Sequence, residues 1–321
     1  MENISIKTIL VTGGAGYIGS AIVEQLVNAG HSVVVFDDLS TGRIESLPAS
    51  VKCIEGNITK IAELKRAFSS VAFDVVIHCA AKKVMNEGEE KPTMYYNDNV
   101  FGTLNVLECM SEYGVPHIIF SSTAAVYSPT SDGHPVVETD VVEPESVYGR
   151  SKLIAEMLVK DFARLKKIST YTILRYFNVA GDVGLSHKEP NPHGVFPLIA
   201  RAFEKQEPFY VYGDDYETKD GSGVRDYIHL YDLAHAHVLA LSSGESLTLN
   251  IGTSNGYTVY EVLHAFSEVT GKTLGAQIKH RRPGDVAVML ADASLAQEKI
   301  SWSPKKTLRN MVQSTVSVYS S

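Results

Sequence analysis

One segment near the N-terminus restricts the fold more than any other part of the 321-residue chain. The stretch ILVTGGAGYIGSAIVEQLVNAGHSVVVFDD, residues 9–38, joins a β-rich run, a glycine turn, a helix-length segment and a second β-rich run. Gly13, Gly16 and Gly19 stand where a tight turn, a close pyrophosphate and close helix–strand packing require residues without side chains. Free N–H groups at the start of the helix favour an anion there. The segment predicts the first βαβ unit of a dinucleotide-binding domain.

The acidic residue that ends the second β-rich run indicates which dinucleotide binds. Asp37 lies 18 residues after Gly19. A carboxylate at this position accepts both ribose hydroxyls of NAD and repels the additional phosphate of NADP, so we expect NAD as cofactor. The alternative is that Asp37 is only a turn residue at a strand end. Asn57, in IEGNIT, follows a further short β-rich run after Asp37. It either contacts the edge of the adenine ring or lies in a loop without a ligand.

Strand-like and helix-like segments alternate through the first half of the chain. Nearly continuous apolar strands separated by helices predict a parallel sheet covered on both faces, which is the doubly wound α/β arrangement of the Rossmann fold. The predicted strands are 8–12, 32–37, 74–79, 117–122 and 171–177, and the predicted helices are 17–29, 60–70, 93–113 and 147–166.

The pattern changes beyond about residue 178. Segments 178–194 and 213–223 are rich in turn-forming residues and predict loops, whereas 247–252 predicts a strand and 258–271 a helix. These elements indicate a smaller C-terminal α/β lobe that is interleaved with the end of the sheet.

Two domains are therefore expected. An NAD-binding Rossmann domain covers 1–178, and the chain returns to it at about 228–252. A substrate-binding lobe covers 179–227 and 253–321.

Composition restricts the partners and the compartment. A formal charge of −8 and a pI near 5.8 argue against a nucleic-acid partner. Cys53, Cys79 and Cys109 show no CxxC spacing, which favours free thiols in a reducing compartment. No apolar run reaches the length of a membrane span, and no signal-peptide pattern is present. We expect a soluble, cytoplasmic protein without a membrane or nucleic-acid partner.

Tyr148 and Lys152 stand four positions apart at the start of the predicted helix 147–166. Chance is one explanation; the other is that both side chains point into one cleft, because residues i and i+4 share a helix face. An ammonium about 4 Å from a phenol, at an effective dielectric of about 20, contributes roughly 4 kcal/mol, or about three pKa units. We therefore expect the Tyr148 pKa to fall from about 10 to near 7, where a phenol is an effective base.

Two further features surround this pair. Thr123 ends the fourth major predicted strand, where doubly wound folds bind ligands, so its hydroxyl either bridges a substrate oxygen and the phenol or is an ordinary strand-end group. An apolar stripe is expected to hold the helix against the sheet, and it consists of Ile154, Met157, Leu158, Phe162 and Leu165.

Together the glycine turn, Thr123 and the Tyr148–Lys152 pair resemble the extended short-chain dehydrogenase/reductase superfamily. Within it, the chain resembles the UDP-glucose (UDP-galactose) 4-epimerase family over nearly its whole length, and GSGVRDYIH is far more specific than the glycine motif. The resembling segments are TGGAGYIGS, VIHCAAKKV, NVFGTLNVLE, SSTAAVY, YGRSKLIAE, RYFNVAG, DGSGVRDYIHLYDLAHAHV and RRPGDVAVMLAD.

This resemblance implies NAD-dependent epimerisation at C4 of a UDP-hexose through a transient 4-keto sugar. It implies Tyr148 as base, Thr123 as its hydroxyl partner and Lys152 as cofactor anchor and phenol activator. The implied cofactor-binding residues are Gly13, Gly16, Tyr17, Ile18, Gly19, Asp37, Asn57, Ile58, Lys83, Asn99, Tyr148 and Lys152. The implied substrate-binding residues are Lys83, Thr123, Tyr148, Asn178, Tyr212, Arg225, Arg282, Asp285 and Met289.

Several of these residues have an alternative explanation that involves no ligand. Arg225 and Asp226 could simply pair with each other, and Arg282 could be a solvated loop charge; Arg281 is left outside the site. No metal is expected, because His229, His235 and His237 do not predict converging ligands. His78, beside a strand end, is expected to be a packed histidine.

Three positions depart from the family pattern. Asn57 stands where the family often has Asp, and Gly194 where many members have a substrate-binding Asn. Met289 replaces the Tyr common in members with a narrow sugar range; because methionine is flexible, N-acetylated sugars stay open as substrates. A homodimer is also expected from the resemblance.

Rival functions are another nucleotide-sugar epimerase, a 4,6-dehydratase and a non-catalytic nucleotide-binding regulator. A dehydratase needs acidic residues directly after the strand-end threonine, where this chain has Ala124 and Ala125. Regulators on this fold commonly lose one member of the active pair, and this chain keeps both Tyr148 and Lys152.

Overall fold

The structure is a computed structural model that describes residues 6–128, 133–186, 193–282 and 285–319. Parts of the predicted loop 178–194 and of the segment RRPGDVAVMLAD, namely 187–192 and 283–284, lie outside the described residues.

The described chain forms thirteen strands and eleven α-helices. The strands are β1 Thr8–Thr12, β2 Ser32–Asp37, β3 Lys52–Glu55, β4 Val75–His78, β5 His117–Thr123, β6 Thr170–Tyr176, β7 Asn178–Ala180, β8 Phe209–Tyr212, β9 Val224–His229, β10 Leu247–Ile251, β11 Gly256–Thr258, β12 Ala276–Lys279 and β13 Val288–Met289. The helices are α1 Tyr17–Asn28, α2 Ile61–Phe68, α3 Met85–Glu90, α4 Pro92–Tyr95, α5 Gly102–Tyr113, α6 Val147–Arg164, α7 Val195–Lys205, α8 Leu230–Ala240, α9 Val259–Thr270, α10 Ser294–Ile300 and α11 Leu308–Tyr319.

Seven strands form the larger sheet, in the order β10-β6-β5-β4-β1-β2-β3. All pairings among β1 to β5 are parallel, with Leu10 opposite Val34 on one side and Val76 on the other. The apolar residues of β1, β2, β4 and β5 are buried because helices cover them, as a continuous apolar run predicts, whereas those of the edge strand β3 are half-buried. The prediction of a doubly wound α/β fold is confirmed.

The chain divides into two compact units, each with its own core. Of the described residues, the first unit comprises 6–128, 141–175 and 234–249, and the second comprises 133–140, 176–186, 193–233, 250–282 and 285–319. The assignment of NAD binding and substrate binding to separate parts of the chain stays a prediction.

In the second unit, aromatic side chains of three elements build the core. Phe196 of α7 contacts Phe266 of α9 and Tyr227 of β9, with ring centroids 5.7 and 5.1 Å apart. A four-stranded sheet pairs β9 with β7, β11 and β13, and a separate two-stranded parallel sheet pairs β8 with β12. The short strand β7 lies inside a segment that the sequence predicts as loop, so that part of the prediction is wrong.

The predicted helix 93–113 is interrupted. After α4 the chain forms a π-helical turn, Tyr96–Phe101, before α5 begins. The Thr103 hydroxyl donates to the Asn99 carbonyl at 2.6 Å, and the Asn99 side chain bonds outside the helix. These side-chain hydrogen bonds accompany the wider turn. The spacing of apolar residues does not reveal such bonds, so the sequence predicts one continuous helix. Such turns often occur at functional sites.

The predicted apolar stripe of α6 is wrong in its direction. Ile154 is 37% exposed, Met157 58% and Leu165 57%, whereas only Leu158 and Phe162 pack, in part, against the core. The buried face instead consists of Val147, Tyr148, Gly149, Ser151, Lys152, Ala155, Glu156 and Val159. The spacing of apolar residues identifies an apolar face of α6. The face that packs against the sheet instead carries polar side chains that have partners there.

Gly149 shows how closely α6 approaches the end of β5. A Cβ at this position would lie 2.2 Å from the Ala125 carbonyl oxygen and 2.8 Å from Pro144. A side chain here would push the helix, with Tyr148 and Lys152, away from the strand end.

We predict that Gly149→Ala lowers the free energy of unfolding by about 1–3 kcal/mol, because an extra methyl group overpacks this contact. Helix propensity alone would give the opposite sign. The measurement is urea unfolding, and the matched control is Gly244→Ala, because no atom lies within 4 Å of the added methyl there. Equal or greater stability for Gly149→Ala would contradict the close approach.

Candidate functional site

The first unit brings Thr123 and Tyr148 into contact. Thr123 ends β5, and its Oγ1 accepts the Ala125 backbone N–H at 3.1 Å. Tyr148 lies in the first turn of α6. Ser146 is the N-cap of this helix, and its hydroxyl accepts the Gly149 N–H at 3.0 Å. The Thr123 hydroxyl acts on the Tyr148 phenol and opposes the rise of the Tyr148 pKa, and both residues are buried. The role of Thr123 as hydroxyl partner of Tyr148 stays a prediction.

Lys152 lies one turn further along the same face of α6. It is buried, and its ammonium lies 4.1 Å from the centroid of the Phe120 ring. Burial lowers the pKa of Lys152 to about 8, and interactions with Cys79 and Glu156 oppose that shift. At neutral pH the side chain is protonated but close to its pKa, which is a property expected of functional lysines.

The Tyr148 pKa moves opposite to the expectation. Burial raises it to about 12, and the neighbouring Thr123 hydroxyl only partly opposes that rise. The prediction that Lys152 alone lowers the Tyr148 pKa to near 7 is therefore wrong. The reason is that the cost of burying a phenolate outweighs the attraction of Lys152, whose ammonium faces the Phe120 ring.

Asn99 connects α6 to the loop after β4. Its Oδ1 accepts the Lys82 N–H at 2.7 Å, and its Nδ2 donates to the Lys82 carbonyl and to Ser151 Oγ, both at 2.9 Å. Ser151 in turn donates to the Tyr148 carbonyl at 2.7 Å. The side chain thus fixes the backbone around Tyr148, while the predicted cofactor contact of Asn99 stays a prediction.

The glycine turn leaves no space for side chains. Gly13 has a φ of +70°, and a Cβ there would lie 2.5 Å from the Ala80 nitrogen; a Cβ on Gly19 would lie 2.1 Å from the Gly13 carbonyl oxygen. Gly16 caps α1 without a side-chain hydrogen bond, and the first turn of α1 holds no acidic residue. The start of α1, including the half-buried Tyr17 and Ile18, therefore suits a diphosphate.

Asp37 is buried where β2 ends. Its carboxylate accepts the Ala15 N–H at 2.9 Å and the Leu39 N–H at 2.8 Å, so it ties the glycine turn to the strand end. Burial raises the pKa of Asp37, while these two bonds oppose the rise. Since each oxygen has a second lone pair, the carboxylate retains acceptor capacity for hydroxyl groups.

Three other predicted cofactor residues lie in different settings. The Asn57 amide oxygen accepts both the N–H and the hydroxyl of Thr59, at 2.8 and 2.7 Å, so it closes its own turn. Ile58 is buried, and the Lys83 ammonium lies 5.6 Å from the Tyr17 ring centroid. The roles predicted for these residues remain predictions.

The second unit brings its predicted substrate residues together in two groups. Arg225 lies 3.6 Å from the Asp285 carboxylate and in register with Met289 on the neighbouring strand. The Arg282 guanidinium lies 4.0 Å from the Tyr212 ring centroid.

The alternative pairing of Arg225 with Asp226 is wrong. The buried Asp226 carboxylate instead accepts hydrogen bonds from the N–H and hydroxyl of Thr253 and from the N–H groups of Ser254 and Ala291. This carboxylate was not predicted as part of any site, and its only signal was a charged residue inside an otherwise apolar strand.

Other candidates have structural partners. Asn178 Nδ2 donates to the Asp226 carbonyl at 3.1 Å. Arg281 bonds Asp215 at 2.7 Å and stacks on Tyr216 at 3.9 Å, so it is partnered, although no site was assigned to it. Gly194 is the N-cap of α7 and offers no side chain.

Three buried histidines of the described structure bond to hydroxyl groups. His78 is buried between the hydroxyls of Thr12 and Thr103, at 2.6 and 3.0 Å, and burial lowers its pKa to about 3, as a packed histidine predicts. His229 bonds Ser314, and His237 bonds Ser121. Within the described ranges, no group of three or more His, Cys, Asp or Glu residues could hold a metal ion.

None of the helices described in the structure has the length and apolar character to cross a membrane.

We predict that Lys152→Met stabilises the fold at pH 7 while removing activity. The folded-state pKa of Lys152, about 8, lies below its ordinary value of 10.5, so the charge on Lys152 opposes folding at neutral pH. The stability of the wild type therefore rises as the pH increases from about 8 to 10.5. Relief of that cost amounts to about 1–3 kcal/mol.

Urea unfolding at pH 7 and pH 10 measures this effect, and the gain should shrink at the higher pH. Arg164→Met is the control, because Arg164 lies on the same helix with an exposed side chain. A Lys152→Met protein that is less stable than the wild type at pH 7 would show that the buried ammonium does not destabilise the fold.

Comparisons with known sequences agree with this arrangement. The chain matches the NAD dependent epimerase/dehydratase family over residues 9–252. It is 39% identical to a UDP-glucose 4-epimerase of Corynebacterium glutamicum over 312 residues, which cover 95% of this chain and 93% of that protein. A UDP-glucose 4-epimerase of Bacillus subtilis is 38% identical, and the match covers 94% of each chain. The resemblance found in the sequence is confirmed.

Solved structures are similar over the same length. A UDP-glucose-4-epimerase from Stenotrophomonas maltophila, with bound NAD and formylated UDP-arabinopyranose, has a TM-score of 0.93 and 36% identity and covers 98% of each chain. The UDP-Glc/GlcNAc 4-epimerase of Campylobacter jejuni has a TM-score of 0.86 and 34% identity and covers 98% of this chain and 99% of its own. By sequence and by fold, this chain belongs to the NAD dependent epimerase/dehydratase family.

Proposed function

We propose that this protein is an NAD-dependent 4-epimerase of UDP-hexoses that interconverts UDP-glucose and UDP-galactose through a transient 4-keto sugar. The observation that carries this proposal is the burial of Tyr148 beside Thr123, with Lys152 buried one turn away on α6. Relatives described as UDP-glucose 4-epimerases over nearly the whole chain supply the substrate class.

The cofactor is NAD, and the residues of the first unit fit it. The side-chain-free start of α1 suits the diphosphate, and the Asp37 carboxylate suits the ribose hydroxyls. Bound NAD supplies the hydride acceptor of the reaction and a positive charge on its nicotinamide ring. We assign its binding to the residues predicted from the sequence, namely Gly13, Gly16, Tyr17, Ile18, Gly19, Asp37, Asn57, Ile58, Lys83, Asn99, Tyr148 and Lys152.

Tyr148 handles the proton of the sugar C4 hydroxyl. In the forward half it accepts that proton while the C4 hydrogen leaves as hydride, and in the return half it donates the proton back to the C4 oxygen. The Thr123 hydroxyl acts on the phenol and is proposed to orient it. Because burial holds the Tyr148 pKa near 12, the base form requires positive charge beside it, and we propose that the Lys152 ammonium supplies part of that charge.

Residues of the second unit are proposed to bind the uridine diphosphate and the sugar. Arg225 and Arg282 suit a diphosphate, because a guanidinium donates to two oxygens at once. Their partners in the structure are weak competitors: Asp285 lies 3.6 Å from Arg225, and Arg282 stacks on Tyr212. The full proposed set is Lys83, Thr123, Tyr148, Asn178, Tyr212, Arg225, Arg282, Asp285 and Met289.

Met289 is proposed to contact the sugar and to set the size that is accepted. A flexible methionine at this position leaves space that a tyrosine ring would fill, which favours acceptance of N-acetylated sugars. A 4,6-dehydratase is disfavoured, because Ala124 and Ala125 form the short helical turn after Thr123 and offer no acid.

A homodimer formed through α6 is proposed as the assembly. The outward face of α6 exposes Ile154 and Met157, and Phe101 in the preceding π-helical turn is 47% exposed. Apolar side chains that cluster on one helix face favour a second copy as their cover. A cytoplasmic location is proposed from the three free thiols of Cys53, Cys79 and Cys109.

The activity test uses purified protein without added NAD. Incubation with UDP-galactose should yield UDP-glucose, since the cofactor is regenerated in each turnover, and a parallel incubation with UDP-N-acetylgalactosamine tests the role of Met289. Tyr148→Phe should reduce conversion by at least about a thousandfold, because it removes the proton acceptor, while NAD content measured after denaturation stays unchanged. Retained turnover in Tyr148→Phe would disprove the assignment of the base.

The assembly test replaces apolar residues on α6. Ile154→Asp combined with Met157→Asp should convert a dimer into a monomer in sedimentation velocity, because burying two carboxylates in an apolar interface is unfavourable. Ile44→Asp is the control, since Ile44 is exposed outside α6. A wild-type monomer at micromolar concentration, or an unchanged dimer in the double variant, would contradict the proposed interface.

A further inference from the structure

A fully buried ion pair lies on the inward face of α6. Glu156 is 0% exposed and Arg175 is 3% exposed. Arg175 Nη2 donates to Glu156 Oε2 at 2.7 Å, and its Nε donates to Oε1 at 3.0 Å, which is the bidentate fork of a strong pair. Charged side chains are rarely buried to this extent unless they are paired.

The pair connects the elements that carry the proposed catalytic groups. Ser122 on β5 donates to Glu156 Oε1 at 2.5 Å, and Ser122 directly precedes Thr123. Arg175 lies on β6, and its Nη1 bonds the Tyr127 hydroxyl at 3.0 Å, just beyond the end of β5. One carboxylate thereby holds α6 to two neighbouring strands.

Helix periodicity places Glu156 on the same face as the active pair. It follows Lys152 by one turn and Tyr148 by two turns, and all three residues are buried. A shift of Glu156 along the helix axis would move the other two side chains with it, because they share one rigid helix. The spacing Tyr148–Lys152–Glu156 is contained in the motif YGRSKLIAE.

Glu156 also places a negative charge near Lys152. The other titratable groups that interact with Lys152 are Cys79 and His78, at the end of β4. Burial raises the Cys79 pKa to about 11 and lowers the His78 pKa to about 3, so both are neutral at pH 7. Among these partners, Glu156 is therefore the acidic group that opposes loss of the Lys152 proton. The cations that face Glu156 are Arg175 and Lys160, whose Nζ lies 3.7 Å from Glu156 Oε2.

We propose that Glu156, clamped by Arg175 and Ser122, is a positioning residue that aligns Tyr148 and Lys152 with Thr123 and supplies the negative charge facing Lys152. This proposal rests on the proposed function, because it acts through the same catalytic groups. The competing explanation is a purely structural ion pair, and apolar residues of similar volume can replace such a pair without loss of stability.

The test compares three variants of the full-length, NAD-containing protein with the wild type in UDP-galactose turnover between pH 6 and pH 10. Glu156→Gln keeps the shape and removes the charge. The double variant Glu156→Leu with Arg175→Met removes both charges and avoids an unpaired buried guanidinium. Asp161→Asn is the control, since Asp161 lies on the same helix with an exposed carboxylate.

Glu156→Gln should lower kcat by at least about tenfold with little change in KM, as expected for misaligned catalytic groups. The alkaline limb of the kcat profile should move down by about one pH unit, because the ammonium has lost its nearby carboxylate. The double variant should recover the thermal midpoint of the wild type but keep the displaced alkaline limb. Asp161→Asn should match the wild type in both respects.

Wild-type kcat and an unshifted alkaline limb in the double variant would overturn the proposal, because they would show that the pair is only structural. That result can be told from failure of the proposed function, which would appear as an inactive wild type or as an active Tyr148→Phe. If Glu156→Gln does not fold, the double variant alone decides the outcome.

Discussion

Burial of the polar face of α6 is the constraint on which the candidate active site depends. A phenol, an ammonium and a carboxylate are removed from water on one side of a single helix, and each needs a partner in exchange. The Thr123 hydroxyl lies beside the phenol, the Phe120 ring lies beneath the ammonium, and Arg175 pairs with the carboxylate. Because these partners come from the neighbouring strands, the register of the helix against the sheet determines where the phenol points.

The same burial creates a conflict between stability and function. Burial raises the Tyr148 pKa to about 12 and lowers the Lys152 pKa to about 8, so the protein disfavours the charged form of both groups. Strain of this kind at a polar site is common where chemistry takes place, because groups must be held close to changing their charge. In the proposed mechanism the phenol needs added positive charge before it can act as a base, which would link proton transfer to the presence of the oxidised cofactor.

The sequence predicted features that depend on local chemistry. Glycines before α1, apolar runs in β1 to β5 and the Tyr148–Lys152 spacing were sufficient for the fold and for the central pair. Features that depend on long-range partners were missed or wrong. Ile154 and Met157 were placed inward, because periodicity does not reveal that Glu156 has a buried guanidinium to meet. The partners of Asp226 were missed, and pairing with its neighbour Arg225 stood only as an alternative, because its four backbone and hydroxyl donors come from segments distant in sequence.

The most direct test of this account is the ionisation of the Tyr148 phenol itself. Tyrosinate absorbance near 295 nm can be titrated as the difference between the wild type and Tyr148→Phe, once with NAD removed and once with NAD bound. The account predicts a phenol that titrates near pH 12 without NAD, and one whose pKa falls by several units toward neutrality when oxidised NAD is present. An identical titration in both states would contradict the claim that Tyr148 becomes a base through the charges gathered around it.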